Sequence, residues 1–165
     1  MHEGGISTPL IAHWPAGIPA GMRNRLVSAP GHLTDIMATC VDIAGARYPA
    51  QFGGMRVTPL EGVSLRPAFR GQRIRRRRPI FFEHEGNRAV RDGKWKLVAK
   101  GPGGPWELYD MEADRTEMHD LAARQPARVR QLAAKWEAWA KRANVIPWIW
   151  DPPYGKPAKA ATASR

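Results

Sequence analysis

The chain of 165 residues is poor in several things, and each shortage removes a class of answer. It has one cysteine, Cys40, so no disulfide within the chain and no multi-cysteine metal site is expected. No apolar run approaches the roughly 18 residues that a membrane helix needs, so no membrane contact is expected. The N-terminus has no basic stretch leading into an apolar one, so no signal peptide is read there. Acidic side chains are scarce: 15 Asp and Glu face 26 Lys and Arg, a formal charge of +11. Such an excess permits binding to nucleic acid or an anionic surface without demonstrating it. What is present in quantity is apolar residues, 43% of the chain with 7 Trp, enough for a globular core.

The densest charge is the run Arg73, Arg75, Arg76, Arg77 and Arg78 around Ile74. A phosphate-binding strip would want aromatic side chains between the cations to stack bases, and none interleave. The expected reading is a solvated loop ending at Pro79, and nucleic acid is not the expected partner.

Local grammar changes along the chain. Met1-His2-Glu3-Gly4-Gly5 runs into Ile6-Ser7-Thr8-Pro9-Leu10-Ile11-Ala12, whose apolar residues read as a short buried strand closed by the Trp14-Pro15-Ala16-Gly17 turn. Nothing in the chain offers that strand an obvious neighbour, so residues 1–31 are expected to be locally unstable. Leu33–Ala44 reads as a helix with Ile36, Met37, Cys40, Val41 and Ala44 on one apolar face and Gly45 as its C-terminal cap. On that face Cys40 reads as a small buried hydrophobe. Residues 46–72 read as a long excursion without a sustained period.

From Pro79 the pattern becomes that of strands. Ile80–Glu83, Arg88–Arg91, Trp95–Ala99 and Trp106–Asp110 are short, and Asp92-Gly93 between two of them is a strong hairpin signal. An antiparallel meander follows. Pro126–Ala143 is the clearest helix, with Val129, Leu132, Ala133, Trp136, Trp139, Ala140 and Ala143 on one face and Asn144 as its cap. That face should lie on the meander. The aromatics Trp148, Trp150 and Tyr154 in the Pro-rich tail should dock, and residues 155–165 should be disordered.

Several of these segments together resemble one family. Glu3-Gly4-Gly5-Ile6 followed by Pro9-Leu10-Ile11 and Trp14-Pro15, the helix from Asp35-Ile36 to Ala44-Gly45, Gly62-Val63-Ser64-Leu65, the hairpin Ala89-Val90-Arg91-Asp92-Gly93-Lys94-Trp95-Lys96-Leu97, and Glu107-Leu108-Tyr109-Asp110 with Asp114, Glu117 and Leu121-Ala122 resemble, in order, segments of the sulfatases. Arg115 and Asp120 depart mildly from that pattern, standing where a proline and an asparagine are usual.

The resemblance implies an alkaline-phosphatase-like α/β parent. This chain would be α+β: a terminal piece of the large domain (1–72), then a small four-stranded antiparallel sheet packed on a C-terminal helix (73–154), then a disordered tail. It implies hydrolysis of a sulfate ester, with formylglycine and calcium expected only in the intact enzyme. Cys40 is followed by Val41-Asp42-Ile43 and does not fit the formylglycine motif, so no catalytic and no metal residue is expected here. The sulfate-binding lysine of the family would fall before Glu3.

The candidates for the substrate pocket are His2 and Glu3 at its rim. His84 and Asn87, in the loop Glu83-His84-Glu85-Gly86-Asn87, would contact the rest of the substrate. Read without the resemblance, that loop is either solvated polar residues, a metal site or an acid–base pair. The expected partners are a sulfate-ester substrate and a missing N-terminal catalytic half, the chain being inactive alone. A second subunit of a split sulfatase and a small polyanion-binding module are the alternatives. Localisation is left open, with a periplasmic or secreted parent among the choices.

Overall fold

The computed structural model describes residues 1–148. The chain forms two compact units, one of residues 1–8 together with those from Pro79 onward, the other of Pro9–Arg78. The fold is α+β.

In the first unit, β3 (Ile80–His84), β4 (Asn87–Asp92), β5 (Trp95–Ala99) and β6 (Glu107–Asp110) pair antiparallel in chain order. The expected strand limits hold to within a residue. Glu85 (φ +53°) and Gly86 (φ +81°) make the two-residue β3–β4 turn, both with the positive φ that suits the twist of a hairpin. Gly93 (φ +59°) opens the two-residue β4–β5 turn at the position read from Asp92-Gly93.

Register sorts the sheet into two faces. Phe81, Val90, Leu97 and Leu108 pair across all four strands and share one face. Helix α4 (Pro126–Arg142) covers that face with buried Leu132, Trp136 and Ala140. The indole N–H of Trp136 donates to the Phe82 carbonyl at 3.0 Å, which satisfies the one polar atom of a fully buried ring. Trp106, Trp139 and Trp148 pack around it, so the described part of the aromatic tail does dock. Trp150, Tyr154 and residues 155–165 lie outside the described residues. Asn144 (φ +57°) ends α4: its N–H reaches the Lys141 carbonyl and that of Val145 the Ala140 carbonyl.

The opposite face carries Ala89, Val98, Tyr109 and buried Lys96. Here the structure corrects the sequence reading. Residues 6–12 form no strand; Glu3–Ile6 make one helical turn, α1, and residues 7–14 have no regular structure, with Leu10 and Ile11 largely exposed. Pro9 removes a ladder donor in the middle of the apolar run. The lack of a neighbour was expected for residues 6–12; residues 1–3, just before them, are held on this face. Met1 packs with Phe82 on the Ala89–Val98 cluster, and the polar groups of His2 and Glu3 bond to the sheet and to Glu117.

The second unit holds a 3-10 turn (Ala20–Met22), α2 (Leu33–Ile43), the two-residue hairpin strands β1 (Gln51–Phe52) and β2 (Met55–Arg56), and the short α3 (Arg66–Phe69). The excursion 46–72 is therefore not structureless. Gly45 (φ +60°) caps α2 as expected, with its N–H on Asp42 and that of Ala46 on Val41.

The expected core face of α2 is not a core within the described residues. Ile36 is 44% and Met37 55% exposed, and Cys40 is exposed too. The buried residues are Asp35, Ala38 and Thr39. The loop 62–66 lies against that side, so close that a Cβ on Gly62 would stand 2.1 Å from the Thr34 carbonyl oxygen. Asp35 accepts from the N–H groups of His32 and Val63 and from Arg76, and Thr39 Oγ1 accepts from Leu65 N–H at 2.9 Å. Arg76 thus leaves the solvated arginine run as a structural partner, and Arg78 stands 3.8 Å from Glu61.

Candidate functional site

The opening segment and the sheet face beneath it make the best-built polar cluster of the described residues. Lys96 sits on the inward side of β5, opposite Arg91 and Tyr109, and is fully buried. An ammonium there must be paired or lose its proton. Its Nζ lies 2.9 Å from Glu3 Oε1 and 2.6 Å from Glu117 Oε1. Glu117 in turn accepts the Glu3 backbone N–H on Oε2 at 2.8 Å. Lys96, Glu3 and Glu117 therefore close a ring that fixes both the backbone and the side chain of residue 3. Glu117 holds φ +57°, sparsely populated for a residue with a side chain. Burial lowers the pKa of Arg91, against the opposing charge of Glu3.

Beside the ring, Glu107 Oε2 stands 2.8 Å from His2 Nε2 and accepts the Tyr109 hydroxyl at 2.7 Å. Burial pushes the Glu107 carboxyl up, but the hydrogen bonds from His2 and Tyr109 outweigh it and leave the group below its ordinary value. Burial and the Glu107 contact push Tyr109 well up, so its hydroxyl stays a donor. With Nε2 on the carboxylate, Nδ1 is the ring nitrogen of His2 left for a ligand.

The four candidate residues do not converge. His2 and Glu3 meet Lys96, Glu107 and Glu117 on the inner sheet face. His84 and Asn87 stand at the β3–β4 turn, where His84 is exposed and 3.8 Å from Glu85. Asn87 donates to the His84 carbonyl and accepts Gly101 N–H, so its amide ties the β3–β4 turn to the β5–β6 loop. Lys96, Glu107, Tyr109 and Glu117 were not among the residues singled out for a site. The signal for Lys96 was a charge set between Trp95 and Leu97 in a strand that goes on apolar; for Glu117 it was only its place in the sulfatase-like stretch that follows Glu107-Leu108-Tyr109-Asp110.

Calcium is not fitted here. Among the described residues no group of three or more His, Cys, Asp or Glu could hold a metal ion. No helix of the described residues is long and apolar enough to cross a membrane.

The family described as N-sulphoglucosamine sulphohydrolase, C-terminal, matches residues 1–141. The chain belongs to the sulfatase family. Among its sulfatase relatives, arylsulfatase D of Homo sapiens is 32% identical over 107 residues, 65% of this chain and 16% of that protein. The N-acetylgalactosamine-6-sulfatase of Canis lupus familiaris is 33% identical over 68% of this chain and 20% of that protein. The choline-sulfatase of Rhizobium meliloti is 32% identical over 127 residues, 73% of this chain and 22% of that protein. Of solved structures, Ps i-CgsB superposes with a TM-score of 0.60 at 28% identity, over 78% of this chain and 27% of that one. A 2-O GAG sulfatase gives 0.50 at 25% identity, over 67% and 25%. The chain thus spans between about a sixth and a quarter of the sulfatases it matches, and it corresponds to their C-terminal part.

Proposed function

We propose that the chain serves as the C-terminal region of a sulfuric ester hydrolase, which converts a sulfate ester and water to an alcohol and sulfate. The names of its relatives cover aryl, amino-sugar and choline sulfates, so the shared chemistry is the ester and not the alcohol. The observation that carries the reading is the match of residues 1–141, which begins on the segment held by Lys96, Glu107 and Glu117.

In this reading the nucleophile and the calcium ligands come from sequence outside this chain, and the chain is inactive alone. His2 serves at the rim of the substrate pocket, oriented by Glu107. Glu3 acts as an anchor, since its carboxylate and N–H are both taken. Asn87 is structural, and His84 is the member of the turn free to meet the alcohol part of a substrate.

The test is turnover of a chromogenic aryl sulfate by the pure chain with and without added calcium. No release above buffer is expected in either case. Calcium-dependent release by the chain alone would overturn the assignment of the reacting groups.

A further inference from the structure

The positive charge of the chain is not spread evenly. Residues 9–78 hold 11 arginines, no lysine and three acids, which is +8 of the formal +11. All three acids are engaged, Asp35 by Arg76, Asp42 by Arg66 and Glu61 by Arg78. Exposed Arg25, Arg73, Arg75 and Arg77 pair with no carboxylate among the described residues. Like charge gathered in this way costs stability through self-repulsion, which a bound anion relieves.

The arginine run is also anchored. Ile74 and Arg76 are half-buried and alternate with exposed Arg73, Arg75 and Arg77. Arg76 is tied inward to Asp35. Three guanidiniums are thereby left on the outward side, each two residues and so at most about 7 Å of chain from the next. Two open hollows adjoin there. One, of about 500 Å³, is lined in part by Arg25, Leu26, Val27 and Arg73. The other, of about 690 Å³, is lined by residues 72–76, and the two share Gln72 and Arg73.

We propose that these hollows and Arg25, Arg73, Arg75 and Arg77 bind a polysaccharide that carries repeated sulfate esters, away from the bond that is hydrolysed. The choice of occupant rests on the reading of the chain as a sulfatase region. A planar guanidinium takes two oxygens of one oxyanion at once. A single small sulfate needs one such fork. Three forks along as much as about 14 Å of chain suit an anion repeated along a polymer. No aromatic residue lines either hollow, so the bases of a nucleic acid find no stacking platform. Repeated sulfate esters are also the groups that the proposed reaction consumes.

The experiment titrates the full chain with dextran sulfate, with uncharged dextran as the blank. Binding is expected at low salt, falling about tenfold or more between about 50 and 200 mM salt. The variant carrying Arg73→Gln, Arg75→Gln and Arg77→Gln should bind about tenfold or more weaker at low salt. A control carrying Lys100→Gln, Arg115→Gln and Arg130→Gln loses the same charge from exposed positions of the other unit. It should weaken by no more than about threefold, because scattered surface charges are screened. Bound dextran sulfate should slow amide exchange at residues 72–77 and leave the β3–β6 amides as they were.

Absence of binding, equal losses in the two variants, or protection confined to the sheet would overturn the proposal. An oligothymidylate should bind no tighter than an abasic oligonucleotide of equal length. Tighter binding of the strand with bases would also overturn it, in favour of a nucleic-acid partner. The sulfatase reading fails separately: calcium-dependent aryl sulfate turnover by the chain alone would overturn that assignment and leave the binding comparison standing.

Discussion

The two units solve burial in opposite ways. In the unit of β3–β6 the sheet has both faces covered, by α4 on one and by the opening segment on the other, and Val90, Leu97, Leu108, Leu132 and Trp136 are all fully or almost fully buried. In the unit of Pro9–Arg78 the main helix is inverted. It buries Asp35 and Thr39 and turns Ile36 and Met37 outward. An amphipathic period therefore reports that a helix has an apolar face, but not that the chain in hand covers it. One unit is held by apolar area, the other largely by hydrogen bonds to a carboxylate.

The largest effect should come from Trp136→Ala, which removes the centre of the first core. A loss of about 3–5 kcal/mol is expected in denaturant unfolding of the meander. A loss below about 1 kcal/mol would mean that α4 does not carry that core.

Next comes Asp35→Ala, which strands the Arg76 guanidinium and two backbone donors. About 3 kcal/mol should be lost, read by amide exchange on α2 and the 62–66 loop with the meander unaffected. The same carboxylate gives the second unit a pH dependence. Burial raises the Asp35 pKa, but Arg76 and the N–H groups of Val63 and His32 outweigh it and hold it below the ordinary value. A depressed folded-state pKa gives stability that is present above the unfolded value and lost as pH falls through the folded one. Exchange on α2 should therefore accelerate in acid below the usual carboxylate range. An α2 that loosens instead on raising the pH through neutrality would contradict the sign.

The smallest effect sharpens the contrast. Ile36→Ser should change the stability of the chain by no more than about 0.5 kcal/mol, because its side chain is already largely in water. Leu132→Ala on α4 should cost about 2–5 kcal/mol by the same assay. Equal losses would show that the α2 face is covered after all.

The meander and α4 were legible because their signals are local: alternation, a Gly-bearing turn, a 3.6-residue stripe and a cap. Gly45 and Asn144 were legible for the same reason, since a C-terminal cap is written in one residue. The opening is not legible in the same way, because a short apolar run does not say whether it is strand or loop, and Pro9 in its middle lacks the N–H that a ladder needs. The site was legible only in half. His2 and Glu3 stood out in the opening motif, but their partners lie about a hundred residues away, and no spacing rule joins Glu3 to Lys96 or Glu117. Arg76 was hidden in a run of five arginines that look alike until one of them finds a buried carboxylate.

The opening segment is held to the sheet by Lys96 and Glu117, yet the chain reaches the sheet only after passing through all of Pro9–Arg78. The sheet unit is thus assembled from two stretches of sequence with the other unit inserted between them. β3–β6 and α4 are contiguous and can form first, whereas α1 must close a long loop to dock, at an entropic cost that grows only slowly with loop length. A single cut by a protease in the inserted unit would leave the first eight residues joined to the sheet through these noncovalent contacts alone.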